Sequence, residues 1–178
     1  MTNSYYATYV DGHHGSLDRI GGASTHLPLS LPECSCRQTM TFLAQIYFEG
    51  KDLDFVTPDL IAIQLYSCFK CYEDTVAEIT NASELNKTGS GEYTPDCQDI
   101  TWVLKSDPEP TADTGQYWDD GEILPDHEHL LYDKIGGCFP TVDHGGTSSF
   151  DLGIVGQLTI FDTVYLTKNE NHWGFFRH

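Results

Sequence analysis

Positive charge is scarce in this chain of 178 residues: nine Lys and Arg face 27 Asp and Glu, for a net charge of −18. Such a surface repels nucleic acid and anionic membranes, because it can neither neutralise phosphates nor release their counterions. It attracts basic proteins and peptides, although acidity alone also serves solubility. Long apolar runs are missing as well. None approaches the roughly 18 residues that a membrane-crossing helix needs. The opening Met1-Thr-Asn-Ser-Tyr-Tyr6 has no basic stretch and no apolar core, so no secretory signal is expected and the cytoplasm is the expected compartment. Catalytic signatures are lacking too. There is no Gly-x-Ser-x-Gly elbow, no phosphate-cradling glycine loop, no Gly-x-Gly-x-x-Gly and no His-Glu-x-x-His. On that basis no enzyme is expected.

Helical periodicity is also weak. Its best stretch is residues 74–85, where Val76, Ile79 and Leu85 are spaced for one face but Asn81 interrupts. Strand signals are much stronger. Thr41-Phe-Leu-Ala-Gln-Ile-Tyr-Phe48 and Leu60-Ile-Ala-Ile-Gln-Leu-Tyr66 are unbroken apolar runs of strand length. Residues 4–10, 100–105, 161–166 and 172–176 alternate or cluster in the same manner. Between them, 87–95 and the long acidic stretch 106–121 read as loops. The expected fold is mostly β or α+β, rich in antiparallel pairs, in a single domain.

Within that domain the chain repeats itself weakly. Asp18-Arg-Ile-Gly-Gly22 is followed by Pro28 and then Phe42-Leu-Ala-Gln-Ile46. Asp133-Lys-Ile-Gly-Gly137 is followed by Pro140 and then Ile154-Val-Gly-Gln-Leu158. This order predicts two diverged repeats, about 1–95 and 96–178, packed about a pseudo-two-fold axis. The glycine pairs suit tight turns with positive φ. Gln45 and Gln157 then hold equivalent places. A buried glutamine amide needs partners. Either each bonds backbone within its own repeat, or the two line a cleft between repeats and bind a peptide main chain.

The six cysteines fall into two close pairs and two singles. Cys34-Ser-Cys36 precedes the first long strand, and Cys68-Phe-Lys-Cys71 follows the second. In antiparallel neighbours, the start of one strand lies beside the end of the other. Four thiolates arriving as two pairs suit a tetrahedral zinc ion with no position left for substrate, hence a structural site. Arg37 and Lys70 flank the pairs and offset their negative charge. Cys97 and Cys138 are expected to be small buried hydrophobes. His127-Glu-His129, beside Asp119, Asp120, Glu122 and Asp126, reads as a hydrated acidic loop. The alternative function rests here: a metal-dependent hydrolase using His127 and His129.

The stretch Cys34-x-Cys36-x3-Met40-Thr-Phe-Leu-Ala-Gln-Ile-Tyr47, with a later strand ending at Cys68-x2-Cys71, resembles the zinc-bearing core of the programmed cell death protein 2 family. It is similar, too, to the YwqG-like bacterial domains, in which Ile-Gly-Gly-x-Pro precedes such strands. In the second copy here, Ile135-Gly-Gly-Cys-Phe-Pro140 displaces that proline. The resemblance implies a duplicated, zinc-bearing β fold that binds other proteins, acting as a chaperone or as immunity against a toxin. Its implied zinc ligands are Cys34, Cys36, Cys68 and Cys71.

Overall fold

The computed structural model describes residues 2–11, 17–21, 31–81, 83, 98–107, 118–119, 122–123, 133–137, 139, 153–160, 162–170 and 172–177. Among the described residues the chain forms strands and no α-helix, and every strand pair whose register is defined is antiparallel. No helix among them is long and apolar enough to cross a membrane. The chain divides into two compact units: Thr8–Thr101 with Trp173–Phe175, and Met1–Ala7 with Trp102–His172 and Phe176–His178. Strands β1 (Thr2–Asp11), β6 (Gln98–Asp107) and β12 (His172–Arg177) supply residues to both.

The first unit holds β2 (Arg19–Ile20), β3 (Thr41–Tyr47), β4 (Ala62–Ser67) and β5 (Asp74–Ile79), in the order β6-β2-β3-β4-β5. All of β4 and all of β3 except Tyr47 are buried, which is why both read as unbroken apolar runs rather than alternating ones. Between β2 and β3 the register pairs Arg19 with Gln45 and Ile20 with Ala44. The Asp18 carboxylate accepts the Tyr47 N–H at 2.7 Å, and Gly21 follows β2 with a φ of 65°. A bulge between Phe42 and Ala44 interrupts the β3–β4 ladder.

Residues 74–79 form a strand, not the start of the helix that their spacing predicts. Val76 and Ile79 are three apart, but they pair with Leu65 and Ala62 of β4. Thr75 and Val76 are β-branched, and an available neighbouring ladder outweighs a weak helical pattern.

The second unit holds β9 (Lys134–Gly136), β10 (Ile154–Ile160) and β11 (Asp162–Asn169), in the order β1-β9-β10-β11-β12. Here Lys134 pairs with Gln157 and Ile135 with Gly156. The Asp133 carboxylate accepts the Thr159 hydroxyl at 2.9 Å, and Gly136 has a φ of 75°. The β10–β11 ladder is interrupted between Ile154 and Gly156. Residues 162–166 of the run 161–166 are part of a longer strand, β11, which pairs antiparallel with β10. Within the stretch read as an acidic loop, β7 (Trp118–Asp119) pairs with β8 (Glu122–Ile123).

Candidate metal centre

Each cysteine pair sits in a turn closed by two backbone hydrogen bonds. In the first, the Cys34 N–H donates to the Gln38 carbonyl at 3.0 Å, and the Arg37 N–H donates to the Cys34 carbonyl at 2.9 Å. In the second, the Cys68 N–H donates to the Glu73 carbonyl at 2.8 Å, and the Tyr72 N–H to the Cys68 carbonyl at 2.7 Å. The residue after the second cysteine of each turn takes a left-handed backbone, with φ of 63° at Arg37 and 59° at Tyr72. That conformation costs a non-glycine residue about 1–2 kcal/mol. It folds each turn back on itself and sets its two thiols side by side.

The β3–β4 register brings the two turns together, because Thr41 at the start of β3 pairs with Ser67 at the end of β4. The sulfurs of Cys34, Cys36, Cys68 and Cys71 all lie within 4.8 Å of one another, in a cluster able to hold a metal ion. All four are free thiols. The Cys36–Cys68 and Cys71–Cys34 sulfurs are 3.6 Å apart, close to the edge of about 3.8 Å for a tetrahedron with metal–sulfur bonds of about 2.3 Å. Cys34 and Cys36, at 2.7 Å, must open by about 1 Å to take adjacent corners of that tetrahedron.

Cys34 and Cys68 are buried against Leu31, Met40, Phe42 and Tyr66, whose rings meet edge to face at 5.8 Å. Cys71 is exposed and Cys36 is half-buried. Half of the centre is thus seated in the core and half faces solvent. The Glu73 carboxylate accepts the Ser35 N–H at 2.8 Å and so latches one turn to the other. The Ser35 hydrogen bonds also hold its carboxyl below the usual range. The hydrogen bond with Cys34 pulls the Cys68 thiol down to about 6. A hydrogen bond with Cys34, reinforced by burial, pushes Cys36 up to about 12. With four protein donors there is no open position, so the arrangement can hold an ion but offers no place for a reacting ligand.

Gln45 is engaged within its own unit. Its amide nitrogen donates to the Leu17 carbonyl at 2.7 Å, and its oxygen accepts from Gln64 at 2.7 Å. The Tyr66 hydroxyl donates to the Gln64 oxygen at 2.8 Å. Tyr165 stands opposite Gln157 where Gln64 stands opposite Gln45, and the buried amide oxygen of Gln157 has no hydrogen-bond partner among the described residues. The two glutamines fall in different compact units.

His127, His129, Asp120, Asp126, Cys97, Cys138, Pro28 and Pro140 lie outside the described residues, while Asp119 and Glu122 are register partners in the β7–β8 ladder. Sequence reasoning did not single out Gln64 or Glu73. A lone polar residue within the run 60–66 was a signal for the first. Nothing local marks the second. No family model matches this chain, and no curated protein matches it either.

Proposed function

We propose that this chain is a duplicated β protein, clasped in its first repeat by one structural zinc ion, which works by binding basic protein partners. The observation that carries the zinc is the four-thiol cluster built from two pre-turned pairs. Thiolate-only, closed, tetrahedral donor sets suit zinc and leave no catalytic position. Loading the site adds binding energy to folding, and removing the ion loosens the first unit.

The register supports the duplication. Asp18, Arg19 and Ile20 stand to Tyr47, Gln45 and Ala44 as Asp133, Lys134 and Ile135 stand to Thr159, Gln157 and Gly156. Both ladders shift between residues that correspond in this alignment, Phe42/Ala44 and Ile154/Gly156. A duplicated, zinc-bearing β fold is also what the resemblance to the programmed cell death protein 2 and YwqG-like families implies. The net charge of −18 supports a basic client or toxin as the partner, since complementary charge speeds encounter.

Elemental analysis of the untagged protein tests the zinc, combined with a count of reactive thiols before and after a chelator. One zinc per chain, with four thiols unmasked by chelation, is expected. No metal, or a Cys34–Cys36 disulfide in the reduced preparation, would remove the clasp. Affinity capture then tests the partner class: a basic polypeptide is expected to bind, and capture of acidic or neutral proteins alone would refute it.

A further inference from the structure

The connection from β3 to β4 is longer than a hairpin turn needs, and it folds into a cup. Three short-range hydrogen bonds shape it: Lys51 N–H to the Phe48 carbonyl, Val56 N–H to Leu53, and Leu60 N–H to Thr57. A fourth, from the Phe48 N–H to the Ile61 carbonyl at 2.8 Å, closes its neck. Trp173, of the same unit, stacks on Phe48 at 5.6 Å and meets Phe55 edge-on at 5.9 Å, which anchors the cup from behind.

The cup encloses about 530 Å³, within the range of about 300–1,000 Å³ common for ligand sites. Buried Phe48, Leu53 and Leu60 line it, together with exposed Glu49 and Asp52. Lys51 lines it too, but its ammonium is committed elsewhere. It lies 3.3 Å from the Asp18 carboxylate, with the two side chains 8% and 12% exposed, and it also donates to the Tyr47 carbonyl. Glu49 accepts a hydrogen bond from the Tyr47 hydroxyl, which fixes the carboxylate at the cup. The lining therefore sets two carboxylates, Glu49 and Asp52, against the single ammonium of Lys51, which is itself paired with Asp18, over an apolar floor.

We infer that this cup takes the basic side chain, arginine or lysine, of a segment of a partner protein. The methylene stem lies on the apolar floor and the cation meets Glu49 and Asp52, the division that long basic side chains make between apolar and polar surroundings. A metal ion fits less well: among the described residues only the four cysteines form a cluster able to ligate one. An anionic ligand would meet like charge at Glu49 and Asp52, and a purely apolar one would use only the floor. Tyr47, with its hydroxyl held to Glu49 and near a second carboxylate, has its pKa pushed up to about 12 and stays protonated at neutral pH, so its donor is always available to Glu49. This inference rests on the reading of the chain as a binder of basic proteins and places the contact on one loop.

The test is nuclear magnetic resonance of the metal-loaded full chain, titrated with capped tripeptides Ala-Arg-Ala, Ala-Lys-Ala, Ala-Leu-Ala and Ala-Glu-Ala, and then with polylysine. The Arg and Lys tripeptides are expected to shift the amides of residues 47–61. The Leu and Glu tripeptides are expected not to. The double substitution Glu49→Gln, Asp52→Asn is expected to weaken the Arg tripeptide about tenfold, the sum of two partly exposed charge contacts. Asp52→Lys is expected to abolish it, and unchanged amide shifts outside 47–61 verify the fold of both variants. If polylysine binds but shifts other residues and ignores both variants, the cup is overturned while the protein-binding reading stands. If neither the tripeptides nor polylysine binds, both are overturned.

Discussion

At the residue scale, the metal centre divides into core and surface halves, and its four cysteines should respond differently to substitution. Each of Cys34→Ser and Cys71→Ser removes one donor and should abolish tight zinc binding. Without metal, they should diverge. Cys34 sits among Leu31, Met40 and Phe42, where a serine would bury a polar hydroxyl against apolar side chains, so Cys34→Ser should cost the apo protein about 1–3 kcal/mol. Cys71 is exposed, and Cys71→Ser should leave apo stability nearly unchanged. Chemical denaturation of the two chelated variants checks this. Glu73 supplies a pH signature. Its carboxyl titrates below the ordinary value of 4.5 because Ser35 holds the charged form. A depressed acid stabilises the fold above its unfolded pKa, and that contribution is lost as pH falls through the folded value. Thermal melts from about pH 6 to about pH 3 should therefore show a stability loss in that acid range that Glu73→Gln lacks. The four cysteines were legible in the sequence because ligand spacing is local. Glu73 was not, because its partner is Ser35, which only the fold brings near.

At the scale of elements, the β3–β4 pair is joined by more than its backbone ladder. Gln45, Gln64 and Tyr66 form a buried polar chain across it that ends on the Leu17 carbonyl. Removing the middle member takes a hydrogen bond from each neighbour, so Gln64→Leu should cost about 2–3 kcal/mol, and the double variant with Gln45→Leu should cost less than the two singles added. A double-mutant cycle by denaturant unfolding measures the difference. The two long strands were readable because burial on both faces writes an unbroken apolar run. The strand β5 was not, because Val76 and Ile79 mimic one face of a helix. The proposed repeat was suggested in the sequence by a cation and a glutamine, which pair as Arg19 with Gln45 in one unit and as Lys134 with Gln157 in the other.

At the scale of the whole molecule, charge dominates what can approach. With 27 acids against nine bases, association with a basic partner should be fast at low salt and slow steeply as ionic strength rises through about 0.1 M, where the screening length is about 10 Å. Stopped-flow association at several salt concentrations should show the on-rate falling while the off-rate changes little. The sequence stated this property of the molecule outright, since net charge needs no fold. It could not say where on the surface a partner lands, because the carboxylates that line the cup are brought together only when the residue 48–61 connection curls over its own apolar side chains.

The cysteine turns and the cup occupy opposite ends of one hairpin, since β3 runs from Thr41 near the thiols to Tyr47 at the cup and β4 returns. An ordinary hairpin is closed by its loop at one end and frays from the other. Here, with an ion bound, the open end would be tied as well, leaving no end from which the ladder can unzip. The amides of β3 and β4 should then exchange with solvent only through global unfolding and be the slowest in the chain. Chelation should restore a gradient of exchange that begins at Thr41 and Ser67 and dies away towards the cup.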